Sequence, residues 1–327
     1  MERGYEPTPM KRCITALFVI VGVALITSAA AFAQSYPTKP IRMILPFTGG
    51  GDILARPLAQ MLSETLGQSV YVENIVGGQT IVGTETAARA LGDGHTILMI
   101  TNSATINQAM RSDMRFDLLK DFVPITQLCT FSLVLVANPS VAASTVSELI
   151  ALAKSQPGQL AYGSAGPLYQ MPMELFKSMA GVDILFVPYK ASATSRIDVI
   201  SGQIQVLMDG LTSMLPQIRA KKVKAFAVAG GKRAYAALDI PTMAEAGLPG
   251  YEGDGWIGFL APAGTPPEAA NRLHAEMAKI LARPAVLATY REQANEPIVS
   301  TPAEFGAFLR QDIAKWAKVV REAGMKP

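Results

Sequence analysis

The chain has 327 residues, 50% of them hydrophobic, with 29 Lys and Arg against 26 Asp and Glu and a formal net charge of +3. That balance excludes the dense basic footprint of a nucleic-acid binder, and the length suits two modest domains rather than one. The two cysteines are Cys13 and Cys129; with the first inside a leader, no internal disulfide is available and the fold must rest on packed apolar area.

Taken in order, Lys11 and Arg12 precede an apolar stretch from Ile14 to about Ala31 that ends in Ala31-Phe32-Ala33. This is the pattern of an export signal over 1–33, cleaved before Gln34, and it points to the periplasm. Met10 reads as an alternative start, and no later segment is long and apolar enough to span a bilayer.

A strand at 41–45 then breaks into Pro46-Phe47-Thr48-Gly49-Gly50-Gly51-Asp52 and reopens as a helix at 53–66. A strand that passes through glycines into a helix presents unpaired backbone N–H groups and a positive helix end, which together suit a carboxylate or phosphate. Pro57 falls inside that helix, beyond the turn where proline is harmless.

Further strands are expected at 70–73, 96–100, 133–137, 160–163, 185–188, 206–208 and 225–229. Between them 80–90, 145–155, 173–180, 192–200 and 214–220 read as helices. The alternation predicts an α/β fold with a mostly parallel sheet covered by helices, and ligands at the strand ends. Two extended segments, 133–137 and 255–260, are where the chain would cross between two lobes and return. Ser144-Thr145-x-x-Glu148 and Thr301-Pro302-x-Glu304 are capping-box signatures. Phe305, Phe308, Leu309, Ile313 and Trp316 follow the second at helical spacing, with Gly324 placed to stop that helix.

Nothing assembles a catalytic centre. His95 and His274 lie far from Cys129 in sequence, and Gly163-Ser164-Ala165-Gly166 lacks the Gly-x-Ser-x-Gly elbow. No His/Cys cluster has zinc spacing, and neither a P-loop nor a Gly-x-Gly-x-x-Gly turn follows the first strand. The expectation is a binding protein without catalytic residues, metal or cofactor.

Specific stretches go further. Tyr36-Pro37-x-Lys39-Pro40-Ile41-Arg42, Asp52-Ile53-Leu54-Ala55-Arg56, Asp93-Gly94-His95-Thr96 and Lys120-Asp121-Phe122-x-Pro124-Ile125 stand in order with Gly163-Ser164-x-Gly166 and Val187-Pro188-Tyr189-Lys190. Pro241-Thr242-x-x-Glu245-Ala246-Gly247, Leu260-Ala261-Pro262-x-Gly264-Thr265-Pro266 and Lys315-Trp316 complete the series. On these the chain resembles the solute receptors of the tripartite tricarboxylate transporter family, also called Bug proteins, over essentially everything after Gln34.

The resemblance implies a type II periplasmic binding protein fold, two α/β lobes joined by two crossing strands. Lobe 1 would take 34–135 with 257–327, and lobe 2 would take 136–256. It implies a small organic carboxylate held in the cleft by two strand–loop–helix pincers and passed to the inner-membrane subunits of a tripartite tricarboxylate transporter. It also implies a monomer. The first pincer would be Phe47, Thr48, Gly49 and Gly50, and the second Ser164, Ala165 and Gly166. Further pocket positions would be Thr101, Asn102, Ser103, Tyr189, Ser192 and Asp209. A sensory receptor of the same fold, read by a membrane signalling partner, is the alternative.

Other roles stand beside these. Asp209 could cap the following helix, Tyr189-Lys190 could be an exposed turn, and Trp256 could pack the crossing rather than line a cleft. Departures from the family pattern gather at the same loops: Pro167 at the tip of the second pincer, Gln170, Pro172, and Gln79-Thr80-Ile81 after Gly77-Gly78. No arginine or lysine stands plainly at either pincer, so the number of ligand carboxylates is left open.

Overall fold

The computed structural model describes residues 36–48 and 50–325. The expected export signal and Gly49 lie outside them. Lys39–Pro327 is one compact unit, distinct from Met1–Thr38, and is described by itself. Among the described residues no helix is long and apolar enough to cross a membrane.

The chain first runs through β1 (Ile41–Leu45), α1 (Gly50–Leu66), β2 (Val70–Asn74), α2 (Ile81–Ala88), β3 (Thr96–Thr101), α3 (Asn102–Met110) and β4 (Phe122–Phe131). It continues with β5 (Leu133–Ala137), α4 (Val146–Ser155), β6 (Ala161–Ser164), α5 (Pro167–Ala180), β7 (Leu185–Pro188), α6 (Ser192–Ser201), β8 (Val206–Gly210), α7 (Leu211–Arg219) and β9 (Lys224–Val228). It closes with β10 (Gly255–Pro262), α8 (Pro267–Leu281), α9 (Pro284–Glu292), β11 (Asn295–Pro297) and α10 (Pro302–Glu322).

These strands form two sheets, one of order β11-β4-β10-β3-β1-β2 and one of order β7-β6-β8-β5-β9. The chain passes from the first to the second between Phe131 and Leu133 and returns between β9 and β10. The expected mostly parallel sheet is corrected to two mixed sheets. β1 is parallel to β2 and β3, and β6 to β7 and β8, but β5 and β10 run antiparallel to their neighbours. The cause is the crossing itself. β5 and β10 begin at the passage between the sheets and run away from it, pairing Leu133 with Gly210 and Gly255 with Phe131, whereas β3, β4 and β8 run towards it.

The same strand directions place the C-terminal ends of the parallel strands, from which α1, α3, α5, α6 and α7 depart, on the side of their sheet that meets the other sheet.

Successive β5 side chains point to opposite faces. Leu133, Leu135 and Ala137 join one core with Tyr162, Phe176 and Met208, while Val134 and Val136 join another with Leu207 and Leu211. In the first sheet Ile44, Leu98, Ile100 and Leu260 pack with Trp256, Phe305 and Leu309. Trp256 is 2% exposed and meets Phe305 and Phe308 edge-on at 5.7 and 5.4 Å, so it serves packing.

The sheets also share side chains. Ala294, at the corner between α9 and β11, has φ +55° and sits in the second sheet's core beside Val134 and Leu211. On the other flank Ile106 of α3, Met171 of α5 and Trp316, Val319 and Val320 of α10 form one cluster.

The expected caps are present. Thr145 Oγ1 accepts from Glu148 N at 3.1 Å, and Thr301 with Glu304 makes a full capping box. Gly324, at φ +64°, follows the last helix.

Candidate ligand-binding site

The first pincer leaves β1 through Phe47 and Thr48 and enters α1 at Gly50. Gly51 is required there by close approach, because a Cβ on it would lie 2.1 Å from a Phe47 ring carbon. The loop is braced from β2, since Asn74 Nδ2 donates to Phe47 O at 3.0 Å and to Asp52 Oδ1 at 3.1 Å. Arg56 Nη2 donates to both Asp52 Oδ1 and Asn74 Oδ1 at 2.9 Å, so the Asp52 charge is met within the loop. Thr48 is exposed.

The second pincer runs from β6 into α5. Ser164 Oγ donates to Gly166 O at 2.8 Å and accepts from Gly166 N at 3.3 Å, so this hydroxyl shapes the loop. Ala165 is half-buried, and Gly166 is the N-cap of α5 with no side chain capping the helix. The two neighbouring helices of the same edge are alike: α6 has Ala191 as its N-cap and α7 has Gly210, both without a side-chain cap. Three helix N-termini therefore lie on one sheet edge without a capping side chain, although the Leu211 N–H that opens α7 donates to Ser132 O at 2.9 Å. Each carries a fraction of positive charge.

The remaining expected positions divide. Tyr189 Oη donates to Asp198 Oδ2 at 2.6 Å, and its ring fills the space left by Gly163, where a Cβ would lie 2.6 Å away. It buttresses β6 instead of reaching into a pocket. Ser192 opens α6 and is half-buried, its carbonyl accepting from Ser195 Oγ at 2.9 Å. Thr101 caps α3, accepting from Ser103 N at 3.2 Å, and Ser103 is 7% exposed. Asn102 is wholly buried, yet among the described residues both polar atoms of its amide lack a hydrogen-bond partner, a costly state for a native side chain.

Asp209 caps nothing. It is fully buried at the end of β8 and accepts from Arg196 Nε at 2.5 Å, Arg196 Nη2 at 3.3 Å and Gly210 N at 2.7 Å. Burial pushes its carboxyl pKa up, opposed by the Arg196 guanidinium and the Gly210 N–H. Tyr169, in the first turn of α5, comes to the same place: its Oη lies 3.8 Å from where a Gly210 Cβ would stand. Burial raises the Tyr169 pKa, followed by the charge of Asp209, with Arg196 pulling the other way.

Arg196 is the residue that sequence reasoning missed at this edge. Thirteen positions separate Arg196 from Asp209, and only the strand order β7-β6-β8 brings them together. Met171 and Met173, two positions apart on α5, are fully buried in two different cores.

The loop before α2 is also unusual. Gln79 and Thr80 stand at φ +56° and +84°, and Asn107 Nδ2 of α3 donates to Gln79 O at 2.7 Å. Two consecutive non-glycine residues in this region store strain, and such strain collects at binding sites.

A cavity of about 590 Å³ lies elsewhere, on the β9 and β11 flank of the crossing strands, with Asp254, Trp256, Arg291 and Lys315 on its wall. None of the expected site residues lines it. Its basic groups are largely met by carboxylates: Arg233 by Glu245, Arg291 by Glu296 and Lys315 by Asp312.

Catalytic alternatives gain nothing from the geometry. Cys129 is buried and its thiol pKa is pushed up by desolvation, which disfavours the nucleophilic thiolate. Among the described residues no group of three or more His, Cys, Asp or Glu side chains is placed to hold a metal ion.

The profile of the tripartite tricarboxylate transporter family receptor matches residues 54–325. The chain belongs to this receptor family. Protein BugT of Bordetella pertussis is 32% identical over 322 residues, covering 96% of this chain and 99% of BugT. A solved structure from R. palustris, Rpa4515 with adipate, is 32% identical at a TM-score of 0.80, covering 90% of this chain and 100% of that one. MatC from Rhodopseudomonas palustris with bound malate is 26% identical at a TM-score of 0.76, covering 87% of this chain and 100% of MatC. The tripartite tricarboxylate transporter receptors are periplasmic binding proteins, and the two-sheet fold with paired crossings is theirs.

Proposed function

We propose that the chain captures a small organic carboxylate between two lobes in the periplasm and delivers it to the membrane subunits of a tripartite tricarboxylate transporter. The lobes would be built on the two sheets, with boundaries at Ser132 and in the β9–β10 connection. These boundaries would lie at the starts of β5 and β10, beside the expected cuts at 135 and 256. The observation that carries the reading is the row of three helix N-termini without capping side chains on α5, α6 and α7, along one edge of the second sheet. One carboxylate needs several converging donors and no charged partner, and backbone N–H groups at helix ends supply them. Adipate in Rpa4515 and malate in MatC support the ligand class.

Closure would follow if the ligand bridges both edges and so binds the closed arrangement better than the open one. The test is a melting scan across mono-, di- and tricarboxylates. A ligand at about a hundred times its Kd adds about 2.7 kcal/mol to the folded state and raises Tm by several degrees. Flat melting curves across the whole panel would refute the proposal.

A further inference from the structure

The cavity of about 590 Å³ beside the crossing strands is walled by both halves of the molecule, and hydrogen-bonding groups on its wall are left unspent. Arg291, Glu296 and Lys315 reach it from α9, β11 and α10, while Lys232, Arg233 and Tyr235 reach it from the segment after β9. Ser132, Asp254 and Trp256 belong to the crossings themselves, and the pairing of Gly255 with Phe131 sets Asp254 beside Ser132. Gln127 of β4 also lines the cavity. It is 5% exposed, and its side-chain amide has no hydrogen-bond partner among the described residues. A buried amide left unpaired is costly unless a polar group enters to meet it.

The charges on this wall leave one acid over. Arg233 is matched by Glu245, Arg291 by Glu296 and Lys315 by Asp312. Lys232 and Glu252 are exposed and make no ion pair among the described residues. Asp254 is half-buried, and only its Oδ1 is used, by the Leu133 N–H at 3.2 Å. Its Oδ2 takes neither a hydrogen bond nor an ion pair among the described residues, and it lies where a Gly230 Cβ would come within 2.0 Å, so glycine at 230 makes room for the carboxylate. A half-buried carboxylate with one free oxygen on a partly apolar wall suits a cation. The same wall carries Phe308, with Tyr235 and Ile298 at 63% and 46% exposure. Those side chains offer aromatic and aliphatic surface to whatever body bears the charge.

We propose that this cavity is a second ligand site, separate from the helix-end edge, and that it takes a small organic amine whose ammonium sits on Asp254 and Gln127 and whose apolar body lies along Phe308, Tyr235 and Ile298. An ammonium has three N–H donors. Asp254 Oδ2 and the carbonyl of the Gln127 amide accept two of them, and the Ser132 hydroxyl stands on the same wall for the third. Burial pushes the Asp254 carboxyl up to about 7, so a proton and the ammonium compete for it near neutrality. A primary amine keeps its own charge there. Its apparent affinity therefore rises with pH until the carboxyl is fully ionised.

The test is calorimetric titration with 2-phenylethylamine, with 2-phenylethanol as its uncharged counterpart. The wild type is expected to bind the amine at least roughly tenfold more tightly than the alcohol, and about tenfold more tightly at about pH 8 than at about pH 6. Asp254→Asn keeps an acceptor for Leu133 N and is expected to abolish both differences. Gln127→Leu is expected to weaken the amine about threefold to tenfold at either pH. The wild-type pH profile decides the matter if a variant does not fold. Equal binding of amine and alcohol, an amine affinity that is flat between those pH values, wild-type affinity in either variant, or binding of neither compound would each overturn the inference. The carboxylate reading stands or falls separately, on its own panel of acids.

Discussion

Asp312→Ala is expected to cost about 3 kcal/mol of folding stability, read as a lowered midpoint of urea unfolding at unchanged slope. Asp312 is 3% exposed, and Oδ2 accepts from Thr105 Oγ1 at 2.6 Å and Trp256 Nε1 at 3.0 Å. Lys315 Nζ stands 3.0 Å from Oδ1. One carboxylate thus ties α3, β10 and α10 together. Alanine would strand a buried indole N–H, at about 1–3 kcal/mol, and would leave the Thr105 hydroxyl only its 3.0 Å bond to Asn102 O. Lys315 adds little, since its side chain is 36% exposed and the attraction is screened. Asp312→Asn keeps an acceptor and should lose less. A loss below about 1 kcal/mol for the alanine variant would show that α3 is held by packing alone.

The second large effect belongs to Asp254, whose Oδ1 accepts from Leu133 N at 3.2 Å. The pair links the last residue before β10 to the first residue of β5, and so joins the two passages between the sheets. Burial pushes the Asp254 carboxyl up to about 7, against the pull of the Leu133 N–H and of Lys315. The unfolded chain titrates near the ordinary value of 3.8. Between those values the folded state holds a proton that the unfolded state releases, so stability is fullest below about pH 4 for this group and declines as pH rises through about 7.

A shift of this size corresponds to at most about 4 kcal/mol at about 1.36 kcal/mol per unit. Asp254 as a residue is half-buried and borders the cavity on the β9 and β11 flank; we therefore expect about 2 kcal/mol. Asp254→Asn retains the acceptor for Leu133 N and removes the titration. Unfolding measured at about pH 3 and about pH 8 should show the wild type losing about 2 kcal/mol more than the variant across that interval. Parallel pH dependences would refute the assignment.

Much of the fold was legible because it is written in local pattern. β1, β5 and β7 have the bounds that alternation and glycine breaks predict; Thr301 with Glu304 forms its capping box, and Thr145 caps its helix while Glu148 Oε2 accepts from Ser144 N. The misses have particular causes. β4 carries Pro124 in its interior, which argues against a central strand; it is accommodated where Pro124 pairs with Leu260, beside a shift in register. α3 has no apolar stripe to find, because Asn102, Ser103, Thr105 and Asn107 are all buried polar residues. β11 is three residues long.

At the candidate site the loops were readable and the side-chain roles were not. A hydroxyl or carboxylate beside a strand end reads as a ligand contact, but Thr101, Ser164, Tyr189 and Asp209 direct theirs to the protein itself. Which partner consumes such a group depends on strand order, and no local spacing encodes it.

Ala294 on one flank and Trp316 with Met171 on the other lodge side chains from one half of the molecule in the interior of the other. Neither half can lose its packing without opening a hole in its neighbour, so heat is expected to melt both in one calorimetric peak. Any swing that admits a solute must pivot around these shared plugs, which restricts it to a small twist.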